Sequence, residues 1–172
     1  MLIFLIGMPG SGKTSIGKEL SKLIGANLID LDEYIAKKEN LSIPQIFKTK
    51  GENYFRKAET NALNEIIERS KKTVVSVGGG TPCFNRNMEV LLGGGKVVYL
   101  KASVEELASR IESDPNERPL FSKHKGRKLA EKVASMLEHR EKYYNKALMS
   151  FDTAGKTPEV LAKELAGLMG KN

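Results

Sequence analysis

The segment Gly7 Met8 Pro9 Gly10 Ser11 Gly12 Lys13 Thr14 directly follows an apolar run, Leu2 to Ile6, and opens a helix-like stretch from Lys13 to Ile24. It matches the pattern GxxxxGK[ST] in the strand, loop and helix setting that the pattern requires. Glycine leaves room there for successive backbone N–H groups to turn inward on a polyphosphate, and several positions take φ values that only Gly adopts cheaply. Gly10, Ser11, Gly12 and Ser15 are thus candidates for an ATP-phosphate cradle. Lys13 is placed to reach the β and γ phosphates and the Thr14 hydroxyl to ligate Mg²⁺, with the positive end of the following helix facing the negative charge. A chain that begins in this way is expected to bind a nucleotide on an α/β scaffold.

At 172 residues the chain is long enough for one well-buried core and too short for two ordinary domains with a linker, so a single domain over 1–172 is expected. Hydrophobic residues make up 40% and charged residues 28%, and no stretch approaches the ~18 apolar residues of a membrane helix, which predicts a soluble protein with no membrane partner. The apolar start carries no basic leader or cleavage site and runs straight into the phosphate loop, so a cytoplasmic location is expected. The lone Cys83 excludes an internal disulfide and a Cys-rich metal site, and His124 and His139 are too few for a zinc centre. Cys83 reads as structural, because nothing near it in sequence resembles a nucleophile's base. The net charge of +7 suits either a nucleic-acid binder or an enzyme that holds a nucleotide and a second anion. The basic residues are spread along helical stretches and mixed with Glu, and no aromatic-rich strand offers a base-stacking platform, so no nucleic-acid partner is expected.

Apolar, β-branched runs at Leu2 to Ile6, Asn27 to Leu31, Thr73 to Val77, Lys96 to Leu100 and, more weakly, Leu148 to Asp152 alternate with helical patterns. Such alternation predicts a five-stranded parallel sheet wrapped by helices. Helices are expected at Ser103 to Ile111, Arg127 to Leu148 and Thr157 to Met169, the last with a proline at its first helical position. Roughly forty residues separate the second and third strands, more than one crossover helix needs, and the part from 33 to 61 is expected to be a substrate-binding insertion. Residues 112–126, with Asp114 Pro115 Asn116 Glu117 Arg118 Pro119 and a basic cluster, read as a mobile lid.

Neither Thr73 to Val77 nor Lys96 to Leu100 ends in an Asp that could support the metal, so that carboxylate must come from elsewhere. Asp30 and Asp32 lie two residues apart at the end of the second strand, hence on one face at the carboxyl edge where parallel sheets bind ligands. Asp30 is expected to support Mg²⁺ and Asp32 to meet an acceptor hydroxyl. The alternative for Asp32 is that it caps a helix starting at Glu33. Gly78 Gly79 Gly80 follow the third strand, where missing Cβ atoms let a small polar ligand approach backbone N–H groups, although a plain turn has the same composition. Gly93 Gly94 Gly95 precede a strand, lie at the opposite edge and read as a turn. Arg56, Arg118 and Arg140 stand out as bidentate donors for an anionic acceptor and a transferring phosphoryl group, although each taken alone reads more readily as a solvated surface charge than as a functional group.

Nearly the whole chain resembles the shikimate kinases. The residues that carry the likeness are GMPGSGKT at 7–14, DLD at 30–32, SIPQIF at 42–47, FRKAE at 55–59, GGG at 78–80, ERPLF at 117–121 and HREKYY at 139–144. The phosphate loop alone fits many families; the specificity lies in the ordered set. The resemblance implies a P-loop NTPase-type three-layer αβα sandwich that moves the γ-phosphoryl group of ATP to the 3-hydroxyl of shikimate, with Mg²⁺, on the route through chorismate to the aromatic amino acids. It implies that Asp32 and Arg56 contact the hydroxyls and carboxylate of shikimate, that Gly78, Gly79 and Gly80 hold the ring, and that Arg140 clamps the carboxylate. Glu59 is implied to fix Arg56 through an ion pair, and Phe47 and Phe55 to wall the pocket, a role that sequence does not separate from plain core. Arg118 is implied to swing in with the lid to the γ phosphate, Arg110 to lie against adenine, and the stretch Asp152 to Pro158, with Lys156, to border adenine from the other side. Lys13, Asp32 and Arg118 are therefore the catalytic candidates.

Two departures from the family pattern stand out: Glu117 precedes Arg118 where a Gly is common, and Leu31 sits where a small hydroxyl residue is common. A monomer is expected. The rival readings are another small-molecule kinase of the gluconate or nucleoside monophosphate type, and a nucleotide switch. The glycine run with Arg56 and Arg140 argues against the first. The lack of a guanine-specific Asn Lys x Asp argues against the second, since Asn145 Lys146 Ala147 ends in Leu148 where the motif needs Asp.

Overall fold

A computed structural model of the chain describes residues 1–114, 121 and 124–169. The five expected strands form, as β1 (Leu2–Ile6), β2 (Asn27–Asp30), β3 (Thr73–Ser76), β4 (Lys96–Lys101) and β5 (Met149–Asp152). All neighbours pair in parallel in the order β2-β3-β1-β4-β5. β1 is central and buried along its whole length, which is why it reads as an unbroken apolar run. Its side chains alternate between two cores: Leu2, Phe4 and Ile6 face one, Ile3 and Leu5 the other.

The smaller core lies under α1 (Lys13–Ile24) and α8 (Pro158–Met169), through Ile16, Leu20, Leu161 and Leu165. The opposite face carries α2 (Leu31–Glu39), α3 (Ile43–Lys50), α4 (Glu52–Arg69), α5 (Asn87–Gly94), α6 (Val104–Glu112) and α7 (Gly126–Tyr144), with a short 3₁₀ turn at Thr81–Cys83. The chain is therefore a three-layer αβα sandwich. Burying one Leu or Ile contributes about 1.5–3 kcal/mol, so the two-sided filling of β1 is a large term in holding the layers together. None of the helices among the described residues is long and apolar enough to cross a membrane.

Local sequence sets the ends of these elements. Ser42 and Gln45 form a reciprocal capping box at the start of α3, and Ser103 and Glu106 form another at α6, each satisfying N–H groups that a helix start leaves unpaired. The segment expected to be the insertion, 33–61, falls on α2, α3 and the first half of α4; α2 begins directly where β2 ends, and Glu59 and Arg56 of α4 reach Gly78 and Gly80 after β3.

Several expected boundaries shift. α7 stops at Tyr144 rather than Leu148, because the backbone winds down through bonds from Lys146 N–H to Tyr143 O (3.1 Å) and from Ala147 N–H to Tyr144 O (3.0 Å). Leu148, whose apolar character prolonged the pattern, is 90% exposed. β2 ends at Asp30, and the next helix begins at Leu31 instead of Glu33. Gly93 and Gly94 belong to α5, and Gly95 is a tight packing point more than a turn: a Cβ there would lie 2.6 Å from Leu2 O.

Candidate active site

The loops leaving β1 and β3 lie side by side, because those strands are neighbours, yet one chain runs on to β2 and the other to β4 on the far side. Diverging connections of this kind leave a crevice at the carboxyl edge. It is a cavity of about 500 Å³ lined by the phosphate loop, Asp30, Asp32, Ser76, Val77, Gly78, Gly79, Arg110 and Asp114.

The phosphate loop forms as its sequence requires. Gly12 sits at φ 88°, a left-handed position at the start of α1, and its carbonyl accepts the Ile16 N–H at 2.8 Å. The Lys13 ammonium donates to the carbonyls of Gly7 (3.0 Å) and Met8 (2.9 Å), which holds it over the mouth of the loop. Ser11 is 1% exposed and its Oγ has no hydrogen-bond partner among the described residues, so a buried hydroxyl is available to a ligand in the cradle.

Beside the loop, the Thr14 hydroxyl donates to Asp30 Oδ2 at 2.9 Å and shares a 3.0 Å hydrogen bond with Ser76 Oγ. Three oxygens from α1, β2 and β3 meet there. Among the described residues no three His, Cys, Asp or Glu side chains cluster as a metal cage. A single carboxylate with hydroxyls, open toward a polyphosphate, nevertheless matches the way proteins hold Mg²⁺, which keeps most of its ligands as water and phosphate oxygen.

Asp30 also caps α2, accepting from the N–H groups of Asp32 (3.1 Å) and Glu33 (3.4 Å). The cap anticipated as an alternative for Asp32 therefore belongs to Asp30. Asp32 enters the cavity from the first turn of a helix, not by strand alternation. Burial, with Asp30 and Glu59 nearby, pushes the Asp32 carboxyl up to about 6, against the opposing pull of Lys13 and Arg56.

The glycine run closes the other side. A Cβ at Gly79 would stand 2.8 Å from Pro9 Cδ, and one at Gly78 3.1 Å from Asp32 Oδ1, so this edge packs bare backbone against the phosphate loop and Asp32. A Cβ at Gly80 would lie 3.0 Å from Arg56 Nη1. Arg56 is held by Glu59 (2.8 Å from Nη1) and by Glu52 (3.2 Å from Nε, 2.9 Å from Nη2). The expected Glu59 ion pair is present, and the buried Glu59 also accepts the Thr81 hydroxyl. Burial raises the Glu59 carboxyl above its ordinary range, while Arg56, Thr81 and Arg140 pull it back. Arg140, on α7, thus approaches the same carboxylate from the opposite element.

A second hollow of about 220 Å³ adjoins the loop, lined by Ser11, Gly12, Ser15, Ile16, Arg110, Thr153, Lys156, Pro158 and Leu161. Arg110 reaches across it to Thr153 Oγ1 (3.1 Å) and Thr153 O (3.4 Å). The hollow thus joins the two segments expected to flank adenine. Lys156 stands at its rim, ion-paired with Glu164 at 2.8 Å.

Most candidates converge, but not all line one cavity. Arg56, Gly80 and Arg140 stand behind the acceptor edge rather than on the 500 Å³ cavity, and Phe47 and Phe55 stack 4.8 Å apart against the larger core. Arg118 lies outside the described residues, as does most of the expected lid. Sequence reading missed Ser76, hidden inside an apolar run; its signal was a lone hydroxyl two residues before the glycines. It also missed Thr81 and Tyr144, whose buried hydroxyls bond Glu59 and the Gly79 carbonyl.

The sequence profile of the family described as shikimate kinase matches residues 9–169. A shikimate kinase of Parabacteroides distasonis is 45% identical over 150 residues, covering 87% of this chain and 86% of the relative. The crystal structure of shikimate kinase from Bacteroides thetaiotaomicron superposes with a TM-score of 0.92 at 32% identity, covering 98% of both chains. Shikimate kinase from Acinetobacter baumannii in complex with shikimate gives 0.88 at 34% identity, covering 98% of this chain and 92% of that one.

Proposed function

Because the chain belongs to the shikimate kinase family, we propose that it moves the γ-phosphoryl group of ATP to the 3-hydroxyl of shikimate, giving ADP and shikimate 3-phosphate. The carrying observation is the pairing of two half-sites across one crevice. A phosphate loop with Lys13 lies on one side, and Asp32 with the bare Gly78 and Gly79 lies on the other, backed by Gly80 and the carboxylate-braced Arg56. The reaction is one of the cytoplasm, where ATP and a small polar acid meet. It serves the route to aromatic amino acids.

In this reading Gly10, Ser11, Gly12, Lys13, Thr14 and Ser15 hold the phosphates, and Arg110 and Lys156 flank the base. Thr14 and Asp30, with Ser76, would hold Mg²⁺, which when bound neutralises charge on the β and γ oxygens. Arg56 and Arg140 bind the acceptor carboxylate from two elements, and Gly79 and Gly80 offer backbone to the ring. Phe47 and Phe55 act one layer back, as the packed floor on which Arg56 is carried.

Phosphoryl transfer through a loose transition state asks the protein chiefly for alignment and charge neutralisation. Lys13 supplies positive charge where the γ-phosphoryl leaves. Asp32 orients the acceptor hydroxyl and takes its proton, a task that suits a carboxyl whose affinity for protons burial has raised toward the working pH. Arg118 is assigned by its sequence pattern to the γ phosphate during transfer.

The test is ADP release by the purified protein with Mg-ATP and, in turn, shikimate, gluconate, AMP or no acceptor. Stimulation by shikimate alone supports the reading. Stimulation by gluconate or AMP instead, or equal turnover without acceptor, rejects it.

A further inference from the structure

Phe84 is a large apolar side chain left 37% exposed, immediately after the 3₁₀ turn that follows the glycine run. Its ring lies under the Arg56 guanidinium, with Cζ 4.0 Å from the ring centroid, whereas the Phe55 ring is 5.5 Å away. A guanidinium stacked on an aromatic face is attracted by the ring quadrupole and held flat against it. The carboxylates of Glu52 and Glu59 grip edges of the same group and use three of its five N–H donors. Edge contacts alone leave the plane free to tilt, the more so because the Glu52 side chain is 56% exposed. The ring fixes the plane. Among the described residues each Nη keeps one N–H beyond these contacts, and a pair of such donors on one guanidinium is what a carboxylate accepts bidentately.

The backbone beneath is tied down as well. Asn85 Nδ2 donates to the Arg56 carbonyl at 3.1 Å and to Thr60 Oγ1 at 3.2 Å. Asn85 and Arg86 take φ of 50° and 57°, two successive left-handed positions without glycine. Each is an unfavourable conformation that surrounding contacts must maintain, and such residues gather where a chain aims a functional group. The turn therefore holds Arg56 twice, by its main chain through Asn85 and by its guanidinium through Phe84.

We propose that Phe84 is the positioning residue for acceptor recognition: its ring sets the plane of the Arg56 fork and so determines affinity for the carboxylate of the acceptor. This rests on the reading of the acceptor as shikimate.

The test is steady-state kinetics of the full chain for wild type, Phe84→Leu and Phe84→Tyr, with shikimate and ATP varied separately and with the neutral carboxamide of shikimate as a second acceptor. Leu keeps apolar bulk without a π face; Tyr keeps the face. Phe84→Leu is expected to raise the KM for shikimate about 3- to 30-fold, the span of a partly exposed cation–π contact, with kcat and the KM for ATP within about twofold. Phe84→Tyr is expected to match wild type, and with the carboxamide Phe84→Leu and wild type should converge. An unchanged shikimate KM in Phe84→Leu, an equal rise in Phe84→Tyr, or a parallel fall in kcat and rise in ATP KM overturns the proposal. If wild type turns over no shikimate, the functional reading itself falls; wild-type turnover with an unmoved Phe84→Leu removes Phe84 alone.

Discussion

The hydroxyl of Tyr144 donates to the carbonyl of Gly79, which ties the end of α7 to the glycine edge. The same oxygen lies 3.8 Å from Met8 Sδ in the phosphate loop, and the Tyr144 ring packs on Tyr99 with centroids 5.0 Å apart. Tyr144 is fully buried, and burial pushes its hydroxyl far above the ordinary range, so it stays a neutral donor at any working pH. With its carbonyl held inward, Gly79 is fixed in register beside Pro9.

Tyr144→Phe removes that donor without changing shape and leaves the Gly79 carbonyl short of a partner. A loss of about 1–2 kcal/mol is expected, seen as a fall in Tm of about 3–6 °C. The KM for shikimate should rise more than the KM for ATP, because the acceptor edge loses its brace while Lys13 keeps its own bonds. Calorimetry and kinetics on one preparation check both. A normal Tm would show that the hydroxyl bond carries no weight.

Two glycine substitutions separate function from filler. Gly79→Ala places a methyl 2.8 Å from Pro9 Cδ and must displace either the glycine edge or the phosphate loop, so kcat/KM for shikimate should fall at least tenfold, about 1.4 kcal/mol or more. Gly93→Ala meets nothing within 4 Å on a helix and should stabilise by about 0.5–1 kcal/mol with kinetics unchanged. Urea unfolding and initial rates decide each; a Gly79→Ala enzyme at wild-type rate would mean that the close approach to Pro9 does not matter to the reaction.

The extent to which residues revealed themselves in advance follows the range of the forces that place them. The phosphate loop and the five strands are written locally, in glycine spacing and apolar runs, and the helix from Lys13 to Ile24 forms at its expected ends. Asp30 and Asp32 were legible as a pair, but their roles depended on where α2 starts. That was settled by Leu31, which is fully buried and draws the helix start back to the end of β2. Ser76, Thr81, Phe84 and Tyr144 act through partners as many as 136 residues away, and no local pattern encodes such pairings. Phe47 and Phe55 show the converse. The resemblance made them a pocket wall, a role that sequence does not separate from core; Phe55 is buried in the larger core and the partly buried Phe47 packs against it, their ring centroids 4.8 Å apart.

Asp32 gives the clearest pH dependence. Its carboxyl titrates at about 6 in the folded chain against an ordinary 3.8. Between those values the native state keeps a proton that the unfolded state has released, so folding stability falls as pH rises from about 4 to 6, and above 6 the full penalty remains. A tenfold gain in proton affinity corresponds to about 1.4 kcal/mol, so ionised Asp32 opposes folding by about 2–3 kcal/mol at neutral pH. Asp32→Asn removes the charge at constant shape. The variant should match wild type in stability near pH 4 and exceed it by about 2 kcal/mol at pH 7.5, while losing about 10²- to 10⁴-fold in kcat. In wild type, kcat/KM for shikimate should climb with an apparent pKa near 6, and that limb should vanish in Asp32→Asn. Denaturant unfolding at the two pH values, set beside the rate profile, makes the comparison; a variant less stable than wild type at pH 7.5 would show that Asp32 serves the fold, not the reaction at the fold's expense.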